Sequence, residues 1–243
     1  MATTIEIAPD TYRICTYVEA ADLQFSQFLL TGDEPLLYHA GLRRHFAGVR
    51  DAVSEVVDPA SLRWIGCSHF EADECGALND WLALAPEAEP VCGVCAAQVS
   101  VDDFAVRRAR QLADGEVLHA GLHRLLYLAT PHLPHGWDAG HLYDETTRVL
   151  FCSDLLNQAG DREAVTEESV LGRMREFVQG QRGTPLDLYF AWSPWCREEV
   201  ERLAVLQPAV CATMHGSVFV GDGAAELRAM ADLLDEERAG RQW

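Results

Sequence analysis

The sequence predicts one α/β domain in which helices cover the outer faces of two packed sheets. Strand-like and helix-like segments interleave along 243 residues without strict βαβ alternation. Hydrophobic residues make up 49% and charged residues 23%, a balance that can build a sizeable core and argues against wholesale disorder. No Pro/Gly/Ser-rich linker, internal repeat or low-complexity stretch interrupts the chain, so a single domain over 1–243 is expected.

Residues 11–40 read as a meander, with the runs TYRICTYV and FSQFLL followed by the turn TGDEP and the run LLYHAG. In LRRHFAGVRDAVSEVV, Leu42, Phe46, Val49, Val53, Val56 and Val57 recur at the three-to-four spacing of an amphipathic helix. LRWIGCS is a short buried strand, and GALNDWLALA a helix that starts near Gly76 and is stopped by Pro86. VCGVCAAQV reads as a strand, VDDFAVRRARQ as a helix, and GEVLHAG, HRLLYLAT and RVLFCSD as strands. The helices ESVLGRMREFVQGQ and SPWCREEVERLAVL precede the strand PAVCATM and a last helix, GAAELRAMADLLDEERAG.

Charge removes several functions. Asp plus Glu number 38 against 19 basic residues, a net charge of −19, and such a field repels nucleic-acid phosphate and anionic lipid. All the basic residues are arginine, which excludes P-loop, protein-kinase, pyridoxal-phosphate and Schiff-base chemistry, each of which needs a lysine amine. No apolar run reaches the roughly 18–20 residues that span a bilayer, and MATTIEIAPD lacks the order of a signal peptide, so a cytoplasmic protein is expected. In a reducing compartment the eight cysteines are thiols, and most lie in apolar runs as small core residues. Cys92 and Cys95 form a CxxC in a strand-then-turn setting, without the strand-then-helix setting of a redox motif, and are read as structural.

The chemistry concentrates in IGCSHFEADECGALNDWL, where His69, Glu71, Asp73 and Glu74 crowd between a short strand and a helix. If the segment is extended, His69, Glu71 and Asp73 point the same way. A second segment, TPHLPHGWDAGHLYD, carries His132, His135, Asp138 and His141. Asp154 closes the apolar run FCSD, where an unpaired carboxylate is costly, and His215 closes CATMH before a glycine. Together these form a metal constellation with both imidazole and carboxylate donors.

The set resembles the metallo-β-lactamase superfold, and within it the flavodiiron and oxygen-binding diiron proteins. Hydrolases of that superfold carry HxHxDH and the diiron branch HxExDH; here the segment is His69-Phe70-Glu71-Ala72-Asp73-Glu74. His135-Gly136-Trp137-Asp138 resembles the branch's HWPD segment, Leu150-Phe151-Cys152-Ser153-Asp154 its LFSxD segment, and Met214-His215-Gly216 its SHG segment. The resemblance implies a four-layer αββα sandwich. It implies His69, Glu71 and His135 on a first metal, Asp73 and His215 on a second, and Asp154 bridging. Glu74 stands where the family has a histidine ligand, so it is either a carboxylate ligand of the second metal or a nearby base. His132 competes with His135, although spacing to the Trp-Asp pair favours His135; His132 and His141 are otherwise neighbours of the ligands. Trp137 and Tyr143 are candidate pocket walls, while His39, His45, His119 and His123 need no function.

The resemblance implies two iron ions, with manganese an option at the second position, and no flavin, since no flavodoxin-type phosphate loop occurs in the sequence. The expected function is binding or reduction of dioxygen, or of nitric oxide, as a sensor or as an oxidoreductase. An external flavoprotein or rubredoxin-like donor and a homodimer are expected, with no nucleic-acid or membrane partner. A metal-dependent hydrolase of the same superfold is the alternative, and Glu71 in place of histidine argues against it.

Overall fold

The computed structural model describes residues 2–239, and its strands fall into two sheets of seven. In the first sheet β1 (Thr3–Ala8), β2 (Thr11–Val18), β3 (Leu23–Leu30) and β4 (Leu36–Tyr38) form an antiparallel meander. The sheet continues in parallel through β5 (Trp64–Gly66), β6 (Glu89–Gly93) and β7 (Arg110–Leu112). Parallel neighbours need crossovers, and helices supply them. These are α1 (Phe46–Ser54) before β5, α2 (Ala72–Cys75) and α3 (Leu78–Leu84) before β6, and α4 (Val94–Ala96) and α5 (Asp102–Phe104) before β7.

The second sheet runs from β8 (Val117–Ala120) through β9 (His123–Ala129), β10 (Gly140–Asp144) and β11 (Val149–Ser153). It then passes to β13 (Val210–Thr213) and β14 (Val218–Val220), and ends on β12 (Val165–Thr166). Helices α6 (Leu171–Gly180), α7 (Pro194–Ala204) and α8 (Gly223–Ala239) cover its outer face. Helix α7 opens on Ser193, whose hydroxyl accepts from the Cys196 amide, and on Pro194, whose missing N–H costs nothing in a first turn.

Alternation along the strands separates three apolar layers. Phe28, Leu30, Leu36 and Tyr38 face the second sheet, whereas Leu29 and Leu37 face the α1/α3 side. Val149 and Phe151 meet them from the second sheet, with Phe28 and Phe151 ring centroids 5.4 Å apart, while Leu150 and Cys152 turn toward α6–α8. The result is the αββα sandwich that the resemblance implied.

Three segments depart from expectation. VCGVCAAQV is strand only to Gly93, then enters α4 and a π turn over Ala97–Val101, so Cys92 is buried and Cys95 exposed. The helix over VDDFAVRRARQ shrinks to α5, and Arg110–Leu112 pairs with β6 as an edge strand. β10 lies inside the histidine-rich segment, where Pro and Gly mask a short buried strand. The last helix is observed to Ala239; Gly240 of the expected span lies outside the described residues.

Candidate metal centre

His69, His135, Asp154 and His215 arrive on loops that follow strands. β5 delivers Ser68 and His69, the loop between β9 and β10 delivers His135, β11 ends at Asp154, and β13 leads to His215. Two local devices aim them. The β11/β13 register shifts between Phe151 and Ser153, and Ser153 adopts φ +49°, so the chain turns Asp154 away from the ladder. After His215 the backbone turns at Gly216 with φ +117°, where a Cβ would lie 2.7 Å from the Gln158 side chain.

His69, Glu71, His135 and Asp154 present ligand atoms that all lie within 4.8 Å of one another. Glu71 Oε2 is 3.1 Å from His69 Nε2 and 2.9 Å from His135 Nε2. Asp154 Oδ2 completes the group at 3.6 and 3.5 Å from the same two nitrogens. The other oxygen of Asp154, Oδ1, lies 3.1 Å from His215 Nε2, which is also 3.4 Å from Asp73 Oδ2. The two oxygens of one carboxylate therefore face different partners, His69 and His135 on one side, His215 and Asp73 on the other.

Asp73 does not reach the site by strand alternation, because it lies in the turn of α2, and this turns it toward His215. Glu74, expected as a ligand of the second metal or a nearby base, faces His69. It is buried, but its carboxylate lies behind His69 instead of in the second position. Oε1 accepts from the Ser68 and Ser153 hydroxyls at 2.6 and 3.1 Å, and Oε2 accepts from the His69 amide at 3.1 Å and lies 3.0 Å from His69 Nδ1. Those four groups use the oxygens that a ligand would need. His39, expected to be ordinary, is fully buried with Nε2 3.6 Å from Glu74 Oε1, and burial lowers its pKa.

Of the remaining sequence candidates, His132 is exposed, with its amide on the Gly136 carbonyl, and His141 is tied to Thr130 Oγ1 at 2.8 Å. Asp138 accepts from the Phe70 amide at 2.9 Å and so joins the His135 loop to the His69 loop. Trp137 is 59% exposed, and Tyr143 donates to the Leu206 carbonyl. The aromatic walls belong instead to Tyr189, 4.8 Å from the His135 ring, and Phe25, 5.0 Å edge-on to His215. Nothing in DLYF or LQFSQ marked them, since both contacts depend on folds distant in sequence.

Two tautomers follow from the partners. His215 Nδ1 lies 2.7 Å from the Gln24 carbonyl, which only accepts, so Nδ1 carries a proton and Nε2 is the nitrogen that faces Asp154 and Asp73. Against His69 Nδ1, the Glu74 carboxylate plays the same part at 3.0 Å. Burial lowers the pKa of His69 and of His215, but adjacent carboxylates outweigh it. His69 is pushed well above its ordinary value by Glu74 and Glu71, and His215 up to about 10 by Asp154 and Asp73. Hydrogen bonds from His135 and His69 hold Glu71 at about 2, and Asp154 is held low by His215, His69 and His135 against its burial. The cavity keeps Glu71 and Asp154 ionised and favours positive charge on His69 and His215.

A divalent cation satisfies that demand better than protons. His135 Nδ1 is buried without a hydrogen-bond partner, and Asp154 Oδ1 is buried with His215 Nε2 3.1 Å away. The donor set, three imidazoles with Glu71, Asp73 and Asp154, is of the mixed nitrogen and oxygen type suited to iron or manganese. The residues fit a pair of such ions: His69, Glu71 and His135 would hold one, Asp73 and His215 the other, with Asp154 between them.

Comparison with known proteins agrees with this geometry. Residues 23–216 match the family described as ODP family beta lactamase, which is more than half of the chain. The chain belongs to the ODP family of the beta-lactamase fold. This ODP chain is 26% identical over 208 residues to "Putative diflavin flavoprotein A 2" of Synechocystis sp., covering 80% of the chain and 33% of that protein. It superposes on the rubredoxin oxygen:oxidoreductase of Desulfovibrio gigas with a TM-score of 0.81 at 15% identity, over 99% of the ODP chain and 63% of the other. With the metal-soaked flavodiiron core of Synechocystis sp. the TM-score is 0.79 at 20% identity, over 98% and 62% of the two chains. The ODP chain thus has the fold of flavodiiron core domains and spans about a third of that curated relative. Among the described residues no helix is long and apolar enough to cross a membrane.

Proposed function

We propose that this chain is a non-haem diiron domain that binds or reduces dioxygen, with nitric oxide as a second diatomic ligand. The observation that carries the reading is Asp154, whose two oxygens face His69/His135 and His215 separately, the arrangement of a carboxylate between two metals. A pair of iron ions there supplies one-electron redox chemistry and open positions for a diatomic ligand. The protein's part is to fix the donors. Glu74 and the Gln24 carbonyl hold the Nδ1 protons of His69 and His215, so that Nε2 of each faces inward. Tyr189 and Phe25 limit water around His135 and His215.

Relatives support the choice of iron and dioxygen over hydrolysis. The matched proteins are named as diflavin flavoproteins, a flavodiiron core and a rubredoxin oxygen:oxidoreductase. Electrons would come from a donor of the flavoprotein or rubredoxin class. Elemental analysis after growth with ample iron should give about two iron, or iron plus manganese, per chain. Anaerobic reduction and optical titration should then show one saturable response to dioxygen. Stoichiometric zinc, or a reduced site indifferent to dioxygen, would overturn the reading.

A further inference from the structure

Arg13 of β2 lies on the face of the first sheet that meets the second, opposite Phe28 in the β2/β3 register. It is 1% exposed, and no other arginine is buried among the described residues. Its guanidinium is a rigid fork of donors, and every atom that it reaches is neutral. Nε donates to Ser26 Oγ at 2.9 Å, while Nη2 reaches the Gly216 carbonyl at 2.8 Å, Gln24 Oε1 at 3.0 Å and Cys15 Sγ at 3.1 Å. Asp161 enters this network only through an amide, 3.0 Å from Gln24 Nε2. Taking a guanidinium out of water with no carboxylate on it is costly, and an apolar side chain would fill the space at less cost. Packing alone does not account for an arginine here.

The contacts converge on one loop. Gln24 and Ser26 are alternate residues of β3, so they share a face, and both touch the His215 loop themselves. The Ser26 amide donates to the Met214 carbonyl at 3.0 Å, and the Gln24 carbonyl faces His215 Nδ1 at 2.7 Å. Arg13 thus holds the two β3 residues that grip Met214 and His215, and it holds the loop directly at Gly216. We propose that Arg13 is the positioning residue of the second metal position, fixing the Gln24 carbonyl against the His215 ring so that Nε2 points at Asp154 and Asp73; this rests on the two-metal reading above. The first position has a separate support in Glu74, Ser68 and Ser153, none of which Arg13 touches. Loss of Arg13 therefore acts on one position alone.

The test reads the ring and the metal separately. In metal-free, isotope-labelled protein the His215 Nδ1 proton, assigned by its loss in His215→Gln, should give a downfield nuclear magnetic resonance in slow exchange with water. Arg13→Met should broaden it by faster exchange, whereas Ile14→Ala, a core change on the other face of β2, should leave it sharp. The same proteins are then titrated with manganese(II), followed by electron paramagnetic resonance. Arg13→Met should bind the second ion about 10–100-fold more weakly, as changes behind a ligating histidine do, with the first ion unaffected. Arg13→Lys keeps the charge but offers one donor centre in place of the fork, and should follow Arg13→Met. Equal weakening at both positions, an unchanged His215 resonance in Arg13→Met, or full recovery in Arg13→Lys overturns the proposal. If Arg13→Met does not fold, Gln24→Met removes the Oε1 that the guanidinium grips and leaves the carbonyl, and the same two readings decide. An Arg13-dependent resonance in protein that takes up a single ion supports the hold on His215 and overturns the two-metal reading alone.

Discussion

The two halves of the centre are built differently. Around His69 and His135, four donors already converge within 4.8 Å, and Glu74, Ser68 and Ser153 form a buried hydrogen-bonded support behind them. Around His215 only Asp73 and one oxygen of Asp154 approach, and the support is backbone and arginine. The buried Arg13 guanidinium donates to the Gly216 carbonyl at 2.8 Å and to Gln24 Oε1 at 3.0 Å, while Gln24 in turn accepts from His215 through its carbonyl. The first position is preassembled. The second is sparser, because the Glu74 carboxylate is turned to Ser68, Ser153 and His69. The difference predicts a tightly held ion and an exchangeable one.

The largest effect should come from the residue that the halves share. Asp154→Ala should lose both ions and any magnetic coupling, read by elemental analysis and Mössbauer spectroscopy. A coupled pair surviving in that variant would break the comparison at its root. Next come the separate halves: His215→Ala should keep about one ion per chain and His135→Ala should weaken the first position. Timed chelation of the unaltered protein should remove the two ions in distinct phases, the second-position ion leaving first. Simultaneous release would show that the positions are equivalent.

A smaller effect isolates Glu74. Glu74→Gln keeps the shape but removes the charge opposite His69 Nδ1, and changes of this kind beside a ligating histidine typically cost about 10–100-fold in metal affinity. That loss should fall on the first position. If affinity drops at the second position alone, Glu74 is a ligand after all and the geometry around His69 is not the functional one.

What the sequence could and could not reveal follows the same physics. His69, His135, Asp154 and His215 were legible because each closes an apolar run or a Pro/Gly turn, where a polar side chain needs a reason. The sandwich was legible from strand-like runs such as FSQFLL interleaved with helical periods such as that of α1, and from the family resemblance. The direction of Glu74 was not legible, because α2 is one turn and the orientation of its side chains depends on Ser68 and Ser153, the latter far along the chain. Tyr189 was invisible for a like reason, its place over His135 being set by the packing of the α6–α7 connection. β10 was hidden because its five buried residues include His141 and Asp144, whose burial is compensated by Thr130 for the first and by His123, Thr146 and Thr147 for the second.

The smallest effect concerns the metal-free protein and its response to pH. His215 is raised from 6.5 to about 10 in the folded state by Asp154 and Asp73 against its burial, so its contribution to stability is fully present below about 6.5 and is lost as pH rises through about 10. Glu71 is lowered from 4.5 to about 2 by His135 and His69, so its contribution is present above about 4.5 and is lost as pH falls through about 2. Without metal, the site should support the fold best between about 4.5 and 6.5. Loading flattens the alkaline side, because a ligating Nε2 has already given up the proton whose loss destabilises the empty site. The melting temperature of metal-free protein should therefore fall between neutral pH and pH 10, by about 2–4 °C for each kcal/mol lost in a domain of this size. The loaded protein should lose less over the same interval, and metal-free His215→Ala should lose the excess slope. Parallel alkaline slopes in all three would mean that the pairing of His215 with Asp154 and Asp73 contributes nothing to folding, and that the second half of the centre is held in place by Arg13 and Gln24 alone.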